Sequence, residues 1–256
     1  MAPRATLLSA AVVAAGLMAG ASAMEQVLSV DKFHGVAASG GIEVHAEVNA
    51  SSGSSVKLQG ESDAVSGIIS SVDFWGTLLL RRAEGAAAGR VVAKVTVPRP
   101  LTFAGATTGG SIFADNVSGF VVVASHSQIR IKQLNSLNST SIVASDRSYV
   151  NVSEGHAPYI SVSASDRATI DLGFLSANIS SISVSSNSTV FNGTMRYGSI
   201  SVSSNSMLRM NATGEVGVSC SQSVVHLGGG GQVTQWSNSG CSMDLSRRLD
   251  AADVLV

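Results

Sequence analysis

The amino-acid sequence predicts an all-β protein, a right-handed parallel β-helix or β-solenoid that begins with a less regular β region. Two observations lead to this class. Serine and threonine together account for 56 of the 256 residues, whereas charged residues account for only 13%. Short segments that alternate Val or Ile with Ser recur about every twenty residues, a period typical of stacked repeats. With 45% hydrophobic residues, the chain has enough apolar side chains to bury a core.

The repeats follow one another through the second half of the chain. They begin at Val121, Ser141, Ile160, Ile182, Ile200, Val216 and Thr234. We align them on the serine that precedes each turn: Ser125, Ser145, Ser165, Ser186, Ser204, Ser221 and Ser237. Alternation places the aliphatic side chains on one face of each strand, and stacked rungs bury that face in a shared interior. We further predict that Val162, Val184 and Val202 stack in one column.

The residues after these serines form the predicted turns. They are His126, Asp146, Asp166, Asn187, Asn205, Gln222 and Asn238. Asn and Asp tolerate left-handed backbone and form hydrogen bonds with the neighbouring main chain. Because rungs lie ~4.8 Å apart, these residues are expected to form a polar ladder along the solenoid.

The N-terminal third is strand-like but less regular. Strands are expected over residues 42–46, 56–58, 77–80 and 91–97. Pro98 and Pro100 end the last of these, because proline lacks a ladder donor. We therefore expect one domain over residues 24–256. It comprises an irregular β start at 24–103, regular rungs at 104–245 and a C-terminal tail or cap at 246–256.

The first 23 residues have the features of a secretory signal peptide. Arg4 supplies the positive charge, residues 7–18 form an apolar run, and Ala21-Ser22-Ala23 is a cleavage motif. The run is too short to span a bilayer, and no later segment reaches the ~18 apolar residues that a span requires. These features predict a secreted, extracellular or cell-surface protein without a membrane span in its mature chain. In a bacterium, the location would be the periplasm or the outer surface.

Two features follow from an exported location. Cys220 and Cys241 are the only cysteines and are expected to form a disulfide rather than remain free thiols. They do not share a repeat position, so the bridge must cross the corner between neighbouring rungs. Eight Asn-x-Ser/Thr sequons predict N-glycosylation in a eukaryotic source, although turns rich in Asn and Ser also produce such motifs. The sequons are Asn49, Asn116, Asn138, Asn151, Asn178, Asn187, Asn192 and Asn211.

The succession of N-terminal motifs resembles a known family. VDKFHGV at 30–36 is followed by GIEV at 41–44, VKLQG at 56–60, GTLLL at 76–80 and VTVP at 95–98. GGSI at 109–112 then leads into the repeats. This order resembles the putative auto-transporter adhesin head GIN domain family from about residue 30 to the C-terminus. The resemblance implies an exported β-solenoid with an adhesion-type role. It implies no catalytic residues, because none are established for the family.

Few features point to chemistry. No HExxH or CxxC motif is present, the glycines at 228–231 are not followed by Lys-Ser/Thr, and the net charge of −1 argues against nucleic-acid binding. We therefore expect no metal, cofactor or nucleic acid. The one candidate site comprises Asp146, Asp166, Arg147 and Arg167 on adjacent rungs. Paired carboxylates could hold Ca²⁺ or serve a carbohydrate-active β-helix enzyme, but the alignment puts Asn187 and Asn205 in the same turn position. That favours a structural turn ladder with surface ion pairs.

The sequence favours a secreted, non-enzymatic β-solenoid of adhesion, structural, or glycan- or protein-binding type. The expected partners are surface glycans or proteins. The alternative is a carbohydrate-active β-helix enzyme that uses the Asp146 and Asp166 region. A glycan-coated wall component without a specific ligand is a third hypothesis.

Overall fold

A computed structural model describes residues 23–245 of the chain. These residues form a β-solenoid of about 7 turns, and the twenty strands of the described part belong to one hydrogen-bonded system. The predicted all-β class is therefore confirmed. The predicted signal segment, apart from Ala23, and the predicted tail at 246–256 lie outside the described residues.

The N-terminal region contains seven strands and the one helix of the described part. Their bounds are β1 Ala23–Leu28, β2 Gly35–Ser39, β3 Ile42–Val48, β4 Ser55–Glu61, α1 Ser62–Ser66, β5 Ile68–Val72, β6 Thr77–Arg82 and β7 Val91–Val97. The four strands expected in this region correspond to β3, β4, β6 and β7. The short segments β1, β2, β5 and α1 were not anticipated.

The remaining strands form the regular rungs. Their bounds are β8 Leu101–Thr107, β9 Ser111–Val123, β10 Gln128–Asn135, β11 Ser139–Ala144, β12 Tyr149–Ala164, β13 Thr169–Asp171, β14 Phe174–Val184, β15 Thr189–Ser203, β16 Met207–Ala212, β17 Glu215–Ser221, β18 Val224–Gly228, β19 Gln232–Ser239 and β20 Ser242–Leu245. All pairs among these strands are parallel. The longest strands continue around corners, so one strand contributes to more than one side of the solenoid.

The spatial order of the first rungs differs from the chain order. Strand β2 lies between β6 and β8, and β3 lies between β7 and β9, all in parallel pairs. Parallel pairing therefore already involves residues 35–48, well upstream of residue 104. Three antiparallel pairs, β4 with β7, β1 with β4 and β5 with β6, cover this end of the stack. Because the outermost rung has a neighbour on one side only, this cover supplies its missing hydrogen-bond partners.

The core consists of inward columns of aliphatic side chains. One column contains Ile142, Val162, Ile182, Ile200 and Val218, and the next contains Ala144, Ala164, Val184, Val202 and Cys220. All are buried, and Cys220 is the most exposed of them at 4%.

The prediction that Val162 stacks with Val184 and Val202 was wrong by one column, because Val162 pairs with Ile182. The alignment of the turn serines was also wrong, by one residue, at Ser185-Ser186. Ser185, not Ser186, takes the position of Ser165, since Val184 pairs with Ala164. Two adjacent identical residues give an alignment no basis for choosing between these registers.

At the corner that follows these aliphatic columns, one serine of each of several rungs points inward. Ser127, Ser148, Ser188, Ser206 and Ser223 are all buried. The Oγ atoms of Ser188, Ser206 and Ser223 accept hydrogen bonds from the backbone N–H groups of Ala168, Ser188 and Ser206 at 3.1, 3.2 and 3.1 Å. The hydroxyls thus satisfy corner donors that would otherwise be buried without partners. These inward serines were not predicted from the sequence.

Candidate binding surface

The polar corner is built from consecutive residues with left-handed backbone. The pairs are Ser125-His126, Asp146-Arg147, Asp166-Arg167, Ser186-Asn187 and Ser204-Asn205. The N–H of Arg147 donates to the carbonyl of Asp166 and that of Arg167 to the carbonyl of Ser186, both at 2.9 Å. The predicted ladder of left-handed turns is therefore present.

The assignment of residues within the ladder was partly wrong. The backbone bonds place Ser186 and Ser204, not Asn187 and Asn205, in the column of Asp146 and Asp166. Asn187 and Asn205 instead continue the column formed by Arg147 and Arg167. Asn238 does not belong to the corner at all, because it pairs with the inward Cys220. The doubled serines Ser185-Ser186 and Ser203-Ser204 caused the first of these errors.

The structure brings the Asp/Arg candidates together, but on an open surface. Asp146, Arg147, Asp166 and Arg167 are all exposed and line a shallow depression of about 440 Å³. Within residues 23–245, no three His, Cys, Asp or Glu side chains form a group that could hold a metal ion. Such an open, exposed corner gives a carboxylate pair neither desolvation nor a deep groove for a substrate chain. The arrangement accounts for a turn ladder and supplies no feature specific to catalysis.

A different surface lies on the side of the solenoid formed by the strand segments that precede the polar corner in each rung. Its outward residues form two adjacent columns of serine, which we call the serine wall: Ser141, Ser161, Ser181 and Ser199 in one column, and Ser163, Ser183, Ser201 and Ser219 in the other. Phe120 and Gly217 continue the first column, and Val122, Val143 and Ser237 continue the second. No residue of either column is charged.

The hydroxyl groups of the serine wall are free. Within the described part of the chain, none of the eight makes a hydrogen bond to another protein group, in contrast to the inward Ser188, Ser206 and Ser223. Neighbouring hydroxyls repeat ~4.8 Å along the axis and about 7 Å across it, as parallel strand geometry dictates. The wall is therefore a flat, regular and uncharged array of donors and acceptors.

Large side chains border the wall on the side away from the polar corner. Tyr159, Ile179 and Tyr197 occupy one column on three successive rungs, and we call them the ridge. They are 54%, 42% and 41% exposed. The guanidinium of Arg196 lies 5.1 Å from the ring centroid of Tyr197 and bounds the ridge at that end. Exposed aromatic rings beside free hydroxyls suit a ligand with both apolar faces and polar edges.

Charged groups lie at the polar corner and also on the next side of the solenoid. There, His45 stacks on Phe113 with ring centroids 4.9 Å apart, and the Arg130 guanidinium lies 5.7 Å from the Phe113 ring. His45 donates to Glu43 at 2.7 Å, and this hydrogen bond is the largest effect that lowers the pKa of the Glu43 carboxyl. Arg90, 2.9 Å from Glu43, lowers that pKa further. The absence of charge is thus a property of the serine wall and not of the whole surface.

The predicted disulfide is present. Cys220 and Cys241 are bridged, with Cα atoms 6.0 Å apart. Cys220 continues the inward column of Val184 and Val202. Cys241 precedes Ser242, which pairs with Val224, and so takes the corner position of Ser223. The bridge joins the last two described rungs across their corner, as the sequence predicted.

The eight sequons fall into two groups. Asn49, Asn138, Asn178 and Asn187 are exposed, whereas Asn116, Asn151, Asn192 and Asn211 are half-buried. In the second group, the Nδ2 atoms of Asn151 and Asn192 donate to the carboxylate of Asp171. This network was not predicted from the sequence, because the three residues belong to different rungs.

Comparison with known proteins places the chain in a family. Residues 32–234 match the family described as "putative auto-transporter adhesin, head GIN domain". The chain belongs to this family. The resemblance stated from the N-terminal motifs is thereby confirmed, and no curated protein matches the chain.

Solved structures share the fold at low sequence identity. A putative adhesin from Parabacteroides merdae superposes with a TM-score of 0.78 at 11% identity, covering 87% of this chain and 95% of that one. A putative adhesin from Parabacteroides distasonis gives 0.70 at 12% identity, covering 88% and 96%. A putative lipid binding protein from the same species gives 0.64 at 11%, covering 87% and 96%. At these identities the likeness shows the fold alone. No helix among residues 23–245 is long and apolar enough to cross a membrane.

Proposed function

We propose that this GIN domain protein is a secreted or surface-exposed, non-enzymatic adhesion module whose contact surface is the serine wall. The family and the adhesins that share its fold support an adhesion-type role. The observation that carries the assignment to this surface is the array of eight free serine hydroxyls without a charged neighbour in either column. Surface glycans and glycoproteins are the partners that such an array fits best, because both present dense hydroxyl and amide groups.

The scaffold favours binding through this surface. Each wall residue lies on a strand that is hydrogen-bonded to both neighbouring rungs, so the array is held rigidly before a ligand arrives. Serine has a short side chain with little rotamer entropy to lose, and a preorganised surface reduces the entropic cost of binding. Many weak hydrogen bonds then act together, as in a multivalent contact.

Export agrees with this role. The predicted signal peptide directs the chain out of the cytoplasm, and the disulfide between Cys220 and Cys241 persists in an oxidising environment. A surface adhesin must also resist unfolding without chaperones, which a bridged terminal rung favours.

The test uses beads coated with the mature protein and surfaces coated with mucin or with cellulose. In the double variant Ser181→Glu/Ser201→Glu, two charges enter the centre of the wall and retention should fall to the level of uncoated beads. Ser153→Glu is the matched control, because Ser153 is an exposed serine on another side of the solenoid. Equal retention of both variants would show that adhesion does not use the serine wall.

A further inference from the structure

We infer that the serine wall and the ridge together form a binding site for a neutral, extended, β-linked polysaccharide whose chain runs parallel to the solenoid axis. This inference rests on the proposed adhesion function and specifies its ligand. It is carried by three properties of the surface: its lack of charge, its exposed rings and its repeat along the axis.

The lack of charge selects a neutral ligand. Acidic polysaccharides and phosphorylated polymers are recognised by Arg and Lys, which form charge-assisted hydrogen bonds with carboxylate and phosphate groups. The two wall columns contain no such residue from Phe120 to Ser237. The nearby charged groups lie outside the serine columns: Arg196 lies against the Tyr197 ring at the end of the ridge, and Asp146, Arg147, Asp166 and Arg167 lie at the polar corner. Free serine hydroxyls, by contrast, donate to and accept from sugar hydroxyls equally well.

The ridge selects a ligand with flat apolar faces. A pyranose ring with equatorial hydroxyls presents an axial C–H face, and that face packs on an aromatic ring as an apolar surface. Tyr159 and Tyr197 are separated by the rung of Ile179, so their backbone positions lie ~9.6 Å apart along the axis. In an extended β-linked chain, alternate sugars turn the same face to one side. The two tyrosines are therefore placed to pack against alternate sugars, with Ile179 beneath the sugar between them.

The repeat of the wall determines the orientation of the chain. Rungs advance ~4.8 Å, close to the advance per sugar of an extended β-linked chain. A polysaccharide parallel to the axis therefore meets the same group at each sugar, namely one ridge residue and two serines, as in Tyr159 with Ser161 and Ser163. A chain perpendicular to the axis would cross the ridge only once and meet no repeat. The match supports one sugar per rung.

The first experiment measures binding to β-1,4-glucan. The mature protein is incubated with microcrystalline cellulose and titrated with oligosaccharides from cellotriose to cellohexaose. Binding to cellulose is expected, with affinity that rises with oligosaccharide length because each added sugar reaches a further rung. Soluble α-linked dextran and polygalacturonate should not bind, since the first does not extend and the second is charged.

Ridge variants test the role of the aromatic rings. Tyr159→Ala and Tyr197→Ala should each weaken cellohexaose binding about tenfold. Phe174→Ala is the matched control, because Phe174 is 82% exposed and lies outside both the ridge and the wall. All three substitutions truncate exposed side chains, so each variant should unfold at the same temperature as the wild type. Ridge variants that bind as tightly as the wild type would overturn the ridge as part of the site.

The outcomes separate this inference from the proposed function. If bead retention on mucin is lost in Ser181→Glu/Ser201→Glu while cellulose and its oligosaccharides never bind, the adhesion function stands and the polysaccharide inference is overturned. Retention on enzymatically deglycosylated mucin would likewise overturn it, in favour of a polypeptide partner. If neither mucin nor cellulose retains the wild-type beads, the adhesion function itself fails.

Discussion

Asn192 donates a hydrogen bond from Nδ2 to the Oδ1 atom of Asp171, one rung away, at 2.8 Å. The Oδ2 atom of Asp171 accepts from Asn151 Nδ2 at 3.0 Å, and its Oδ1 atom also accepts from the backbone N–H of Gly173 at 3.0 Å. One carboxylate thus joins three successive rungs on a side of the solenoid away from the serine wall. Hydrogen bonds to a charged group at half-buried positions are among the stronger polar interactions in a fold.

Removing this carboxylate should destabilise the protein. Asp171→Ala leaves two half-buried amide donors without their acceptor, and the expected loss in the free energy of unfolding is about 1–3 kcal/mol. Urea denaturation followed by circular dichroism measures the loss. Asp31→Ala serves as the control, because Asp31 is exposed and should leave the midpoint unchanged. Equal midpoints for the two variants would contradict a structural role for Asp171.

The disulfide should stabilise the C-terminal end of the stack. Breaking it with Cys241→Ser frees a chain segment of 21 residues, which costs about 3 kcal/mol if the bridge acts by restricting the unfolded chain. The melting temperature should fall, and mild reduction of the wild type should lower it equally. Cys241→Ser places serine where Ser206 and Ser223 already stand in neighbouring rungs, so the substitution itself is tolerated. If the variant and the reduced wild type have the same melting temperature as the oxidised protein, the bridge does not stabilise the fold.

The Glu43 carboxyl predicts a dependence of stability on pH. Its pKa in the folded protein is lowered below the ordinary 4.5, chiefly by the hydrogen bond from His45. Between the lowered folded pKa and the ordinary pKa, the unfolded chain therefore binds more protons than the folded protein. The stabilisation is full above the ordinary pKa and is lost as the pH falls through the folded pKa. Urea midpoints of the wild type and Glu43→Gln should differ at pH 7 and converge as the pH falls below the ordinary 4.5 and through the lowered pKa of the folded protein. A constant difference across that range would rule out this linkage.

The regular part of the fold was predictable because its signals are local. Alternation of Ile182, Ser183 and Val184 shows an inward and an outward face within one strand, and the repetition of that pattern shows that rungs stack. The position of β2 between β6 and β8 was not predictable, because it depends on pairing between distant segments that share no repeat. The register error at Ser185 arose where two identical residues made neighbouring alignments equivalent.

The candidate surface was harder to predict than the fold. Ser161 and Ser188 have the same side chain, yet Ser161 has a free outward hydroxyl and Ser188 accepts a buried backbone bond. Only the register of the rungs distinguishes them. Tyr159 and Tyr197 appear unrelated in the sequence because their separation includes one rung of 20 residues and one of 18, as the pairs Tyr159–Ile179 and Ile179–Tyr197 show. With the correct register, the sequence would have shown a large residue two positions before the first wall serine in each of three successive rungs.

The sequons give a prediction that connects glycosylation with binding. When the protein is secreted from a eukaryotic host, glycans are expected at the exposed Asn49, Asn138, Asn178 and Asn187. The half-buried sequons should remain unmodified in folded molecules, because Asn151 and Asn192 already donate to Asp171 and a glycan would have to displace packed neighbours. Peptide mapping by mass spectrometry before and after removal of N-glycans measures the occupancy. Occupied Asn151 or Asn192 in correctly folded protein would contradict this division.

A glycan at Asn178 should also block the ridge. Asn178 is exposed and directly precedes Ile179, the central ridge residue, so a bulky glycan there would lie over the proposed path of a polysaccharide chain. Protein glycosylated at this site is expected to bind cellulose more weakly than the Asn178→Gln variant made in the same host. Asn49→Gln is the matched control, because Asn49 lies in the loop between β3 and β4, outside the serine wall. If removal of the Asn178 glycan changes binding no more than removal of the Asn49 glycan, the polysaccharide does not pass over the ridge.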